Sequence, residues 1–100
     1  MRKHIIFHQD AGHGWYEVST DDLLGYAIHH DISPYSYVSA NGRKVYLEED
    51  CDAGEFFSAA RGRGHDVDVE DAQYPGGRYP DNSFIRILPT YSAYKLRSAG

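Results

Sequence analysis

Asn41-Gly42, set between two alternating runs, constrains the fold of this chain more tightly than any other feature of its sequence. The preceding run is Tyr35-Ser36-Tyr37-Val38-Ser39-Ala40 and the following one Arg43-Lys44-Val45-Tyr46-Leu47-Glu48. Both turn residues tolerate positive φ, so a two-residue type I′ hairpin is expected. That loop length fixes the register, with Tyr37 opposite Tyr46 and Val38 opposite Val45. Val38, Val45 and Leu47 then share one face. Tyr35, Tyr37, Lys44, Tyr46 and Glu48 share the other, which is aromatic and charged at once and suits a contact surface better than a sealed core.

One hundred residues suffice for a single domain, residues 1–100, with a modest core. Nine tyrosines, four phenylalanines and one tryptophan must supply much of it, and tyrosine serves a core or an interface equally well. The formal charge of −5 argues against contact with duplex nucleic acid or an anionic membrane, both of which need clustered Lys and Arg. It suits a basic protein surface. Cys51 is the sole cysteine, so no internal disulfide forms. The N-terminal apolar run Ile5-Ile6-Phe7 is too short for a signal peptide, and no stretch reaches the roughly 20 apolar residues of a membrane span. A cytoplasmic protein is expected.

Lys3 to His8 reads as a strand, residues 9–14 as a Gly-containing turn, and Trp15 to Val18 as a strand antiparallel to the first. Ser19 or Thr20 caps a helix, with Ser19 and Asp22 spaced like a capping box. Leu23, Leu24, Ala27 and Ile28 form its apolar stripe, and Pro34 forbids continuation past His29 and His30. After the hairpin, Asp50 or Asp52 caps a second helix from Ala53 to about Arg61, burying Phe56, Phe57 and Ala60. Gly62 or Gly64 stops it. Asp66 to Tyr74 is extended, residues 75–82 are a loop, Phe84 to Leu88 is a last strand, and the tail from about residue 92 frays. The order of elements predicts an α+β fold: a small antiparallel sheet of five or six strands with two short helices packed on one side.

Three clusters carry candidate chemistry. His8, Asp10 and His13 could meet at a divalent metal if their loop curls back, but the spacing matches no established ligand motif. A turn held by side-chain hydrogen bonds is the better reading, and no metal or other cofactor is expected. Glu48-Glu49-Asp50-Cys51-Asp52 concentrates acid at a strand-to-helix junction, where helix capping by Asp50 or Asp52 explains it best. Cys51 lies near a helix N-terminus, but its acidic neighbours raise a thiol pKa, so a small buried thiol is expected. In Asp66-Val67-Asp68-Val69-Glu70-Asp71, alternation puts Asp66, Asp68 and Glu70 on one strand face. Their mutual repulsion would be relieved by a basic partner, or the stripe serves solubility and edge protection. There is no phosphate-binding glycine loop and no nucleophile elbow.

Four blocks in order, His8-Gln9-Asp10-Ala11-Gly12-His13-Gly14-Trp15, Ile32-Ser33-Pro34-Tyr35-Ser36-Tyr37, Val45-Tyr46-Leu47-Glu48-Glu49-Asp50-Cys51-Asp52-Ala53 and Ser83-Phe84-Ile85-Arg86, resemble a family of small phage and prophage proteins with no assigned function. The resemblance spans most of residues 4–90. It implies a mobile-element origin and carries over no catalytic residue. By analogy with small phage proteins, the leading expectation is an accessory protein that binds a host protein or complex, such as a defence or nucleic-acid-handling complex, in the host cytoplasm. The expected binding residues are Tyr35, Tyr37, Tyr46, Asp66, Asp68 and Glu70, facing a basic partner. Two alternatives stay open: a small metal-dependent enzyme using His8, Asp10 and His13, and a structural phage protein that forms homo-oligomers through the hairpin.

Overall fold

The computed structural model describes residues 1–99. Five strands, β1 (Arg2–Gln9), β2 (Gly14–Ser19), β3 (Tyr37–Val38), β4 (Lys44–Glu48) and β5 (Asp66–Asp71), form one sheet in the order β3-β4-β2-β1-β5. Helices α1 (Thr20–Gly25) and α2 (Ala53–Gly62) complete the α+β fold. The sheet is mixed rather than wholly antiparallel: β5 runs parallel to β1, with Ile5 beside Val69. The reason is the α2 crossover, which returns the chain to the same end of the sheet before β5 begins.

Register places Ile5, Val18, Val38, Val45 and Leu47 on one face, where Leu23 and Tyr26 of the α1 region and Phe56 and Ala60 of α2 pack onto them. Both helices therefore serve one apolar layer, as the alternation of the strands requires. The Ser19 hydroxyl accepts the Asp22 N–H at 3.0 Å, the cap expected from the sequence. The expected apolar stripe of α1 is cut short. The helix ends at Gly25, Leu24 is exposed, and Ala27 takes a φ of 58°. Amide bonds from Ile28 to Leu23 O and from Ala27 to Leu24 O close a C-cap of the kind that normally uses glycine. α2 ends in the same way, with Gly64 supplying the positive φ of 69°.

The hairpin register is the one its sequence dictates, Tyr37 opposite Tyr46 and Val38 opposite Val45, with both valines buried. Its turn differs. The closing β-turn runs from Ser39 to Gly42 (2.9 Å), within a four-residue loop bounded by the Ser39–Lys44 pair, and only Gly42 has positive φ. Asn41 instead uses its side-chain oxygen to accept the Arg43 N–H and the Ser39 hydroxyl.

The expected strand at Phe84–Leu88 is a 3-10 turn, Phe84–Ile87, capped by Ser83. Ile85 and Leu88, three apart as that geometry requires, pack with Trp15, Tyr37 and Tyr46 on the second sheet face. The tail from residue 92, expected to fray, is tied to the body through its described residues, and Gly100 lies outside them. Tyr91 N–H bonds Ser36 O at 2.8 Å, Arg97 N–H bonds Gly42 O at 2.8 Å, and Leu96 joins the main core. Among the described residues, no helix is long and apolar enough to cross a membrane.

Candidate binding cavity

The turn between β1 and β2 is organised by Asp10, which is 5% exposed. Its Oδ1 accepts the Gly12 and His13 amides at 2.9 and 3.0 Å, as an aspartate in a tight turn readily does. Its Oδ2 accepts the Ser83 amide at 2.8 Å, and the Arg86 guanidinium grips both oxygens. The Arg86 hydrogen bond, reinforced by these amides, holds the Asp10 carboxyl far below the usual carboxylate range. The His8, Asp10 and His13 side chains therefore do not converge. His8 Nε2 lies 2.8 Å from Glu17 Oε1, and His13 Nδ1 faces Glu48 Oε1 at 3.6 Å. Among the described residues, no three His, Cys, Asp or Glu side chains are grouped to hold a metal ion.

Arg86, fixed by Asp10, lies 5.4 Å over the Trp15 ring. Trp15 meets Tyr37 edge-on, with ring centroids 6.3 Å apart. These groups form one wall of a cavity of about 310 Å³. Pro34 and Tyr35 form a second wall, and Glu48, Asp50 and Cys51 a third, with His13 opposite Glu48.

The acid run builds that third wall by a route different from helix capping. Glu48 Oε2 accepts the Asp50 and Cys51 amides at 2.9 and 2.7 Å, and the Glu48 N–H donates to the Ser36 hydroxyl oxygen at 2.9 Å. Asp52 occupies the N-cap position of α2 but makes no side-chain cap bond. It accepts instead from the Ser33 amide and from the hydroxyls of Ser33 and Ser36, stitching the segment before the hairpin to the start of α2. Cys51 is exposed, not buried as expected. A hydrogen bond to Glu48, then partial desolvation and the surrounding acids, push its thiol pKa up, which disfavours a nucleophilic role.

The six residues expected to bind a partner are divided by the structure. Tyr35 is 70% exposed at the cavity mouth, and Tyr37 is half-buried in its wall. Tyr46 is a correction: it is 6% exposed, sealed by Phe84 and His8 rings, and burial pushes its hydroxyl pKa to about 12. The tyrosine face of the hairpin is thus largely a second, smaller core under the 83–88 segment. Asp66, Asp68 and Glu70 share one face of β5 as alternation requires, but β5 and β3 are opposite edges of the sheet. Four strand spacings of about 4.8 Å put roughly 19 Å between those edges. The stripe is also compensated within the chain. Arg2 Nη1 bonds both Asp68 oxygens at 2.7 and 2.8 Å, and His4 Nε2 lies 3.1 Å from Glu70. Arg2 on neighbouring β1 thus relieves part of the repulsion that a basic partner was expected to relieve.

Sequence reasoning missed Trp15, Pro34 and Arg86 as cavity residues. The lone tryptophan was the available signal. Arg86 could not be placed, because its contacts with Asp10 span 76 residues. Fold and cavity together define a small α+β protein with an aromatic and acidic recess at one end of its sheet. No family model matches the chain, and no curated protein or solved structure matches it either.

Proposed function

We propose that this chain is a phage-type accessory protein that acts by binding a host protein, and that the mouth of the Trp15–Tyr35–Tyr37 cavity is its contact surface. The observation that carries this reading is the cavity itself. It brings together one or more residues from each of the four blocks that resemble the phage and prophage family: His13 and Trp15, then Pro34, Tyr35 and Tyr37, then Glu48, Asp50 and Cys51, then Arg86. Tyrosine and tryptophan beside a recess are the residues that most often anchor a protein interface. Tyr35, exposed on a segment tied down by Asp52, is such an anchor held ready. The acidic stripe of β5 becomes secondary, a protected edge whose Asp66 and Asp68 lie beside Arg2 and whose Glu70 lies beside His4. Diversion of a host defence or nucleic-acid-handling complex, in the host cytoplasm, is the role that fits such a binder.

The test uses cross-linked capture from host lysate with three baits: wild type, Tyr35→Ser, and the double reversal Asp68→Lys with Glu70→Lys. Tyr35→Ser is expected to lose the host protein that wild type captures, since truncating an anchor costs at least about 2 kcal/mol, or roughly 30-fold. The double reversal is expected to keep it. Capture that survives Tyr35→Ser but fails with the double reversal would return the role to the stripe.

A further inference from the structure

We infer that the cavity receives a basic side chain, arginine or lysine, projected by the partner protein; the inference rests on the binding role proposed above and names the chemistry that role recognises. Three observations carry it. The first is the wall. The Tyr35 and Tyr37 rings line the recess beside Trp15, whose ring already carries Arg86, and tyrosine rings attract a cation brought against them. The second is charge. Arg86 is the one fixed cation among the lining residues, and its Nε and Nη2 are spent on buried Asp10, so that pair is neutral as a unit. Glu48 and Asp50 have no Lys or Arg partner among the lining residues. The Glu48 side chain is 8% exposed, with the His13 imidazole at 3.6 Å and the Cys51 thiol as its side-chain neighbours in the recess. Neither neighbour is a fixed cation, and a guanidinium or ammonium brings the charged donors that a carboxylate binds most strongly. The third is size. At about 310 Å³ the recess lies at the small end of the roughly 300–1,000 Å³ typical of ligand sites, which fits one long side chain better than a larger ligand.

An acidic side chain would also find Arg86, but it would sit against the Glu48 and Asp50 carboxylates. The net charge of −5 favours the approach of a basic surface for the same reason.

Trp15 is the only tryptophan and lines the cavity, so its fluorescence reports occupancy. The experiment titrates the whole protein with capped Gly-Arg-Gly, Gly-Gln-Gly and Gly-Glu-Gly peptides under selective excitation of tryptophan. The arginine peptide is expected to give a saturable change at least about tenfold tighter than the glutamine peptide. Asp50→Asn, whose side chain holds no backbone group, is expected to weaken arginine binding several-fold. Glu48→Gln, which keeps an acceptor for the Asp50 and Cys51 amides, should weaken it further. Equal or tighter binding of the glutamate peptide would overturn the inference, as would an arginine peptide without saturable effect up to about 10 mM. Either result, alongside capture that still depends on Tyr35, removes the basic occupant and leaves the binding role standing.

Discussion

Asp10 shows how much one side chain can organise here. Its carboxylate is buried and receives three backbone amides and a two-nitrogen grip from Arg86, which joins the first turn to a segment more than 70 residues away. Hydrogen bonds to a charged group are worth about 1.5–3 kcal/mol when lost, so Asp10→Asn should cost about 2–3 kcal/mol in urea unfolding. A loss under about 0.5 kcal/mol would contradict this role. Because the folded pKa is depressed, the contribution is whole above the unfolded pKa of about 3.8 and is lost as pH falls through the lower folded value. The stability gap between wild type and Asp10→Asn should stay constant from pH 7 to about 5 and narrow below about 4. Ala27 is the opposite case, a residue working against its position. At φ 58° and exposed, it occupies a left-handed site that costs an L-residue about 1–2 kcal/mol, partly offset by the greater unfolded freedom of glycine. Ala27→Gly should raise stability by about 0.5 kcal/mol, and a lower melting temperature for the variant would refute that account.

Among the elements, those with short-range chemistry were legible and those fixed by distant contacts were not. Ser19 and Asp22 mark the start of α1, and the alternation from Tyr37 to Leu47 sets the hairpin register. The turn of that hairpin was misread because its geometry answers to the C-terminal tail. A Cβ on Gly42 would come within 2.5 Å of the Lys95 carbonyl oxygen and 3.1 Å of the Arg97 amide nitrogen, both backbone atoms. Gly42 thus needs both its positive φ and its missing side chain. Gly42→Ala should destabilise the protein by at least about 1–2 kcal/mol from strain alone, and should raise amide exchange at Arg97, whose N–H bonds Gly42 O. Unchanged exchange there would mean that tail and hairpin are not coupled. The 3-10 turn at Phe84–Ile87 was read as a strand for a similar reason. Its apolar residues suit either geometry, and only the ties from Asp10 to Ser83 and Arg86 choose between them.

At the scale of the whole molecule, the sheet has two unlike faces. One carries the main core and both helices. The other is divided among a small aromatic core around Trp15, the cavity beside it, and a polar field that ends at the β5 stripe. The α+β class and the burial of Phe56, Ala60, Val38 and Val45 could be read from pattern alone. The cavity could not, because it assembles four segments whose contacts have no local signature. Tyr35 and Tyr37 line the cavity, and aromatic residues stand out in any alternation; the contacts of Arg2 and His4 with the stripe had no signal, because they form only through the parallel pairing of β1 with β5. Hydrogen–deuterium exchange, measured on the protein alone and in its captured host complex, tests the central claim most directly. The account expects new protection at residues 13–15, 34–37 and 48–51, with residues 66–71 unchanged; protection confined to 66–71, with the cavity segments exchanging as freely as before, would contradict it.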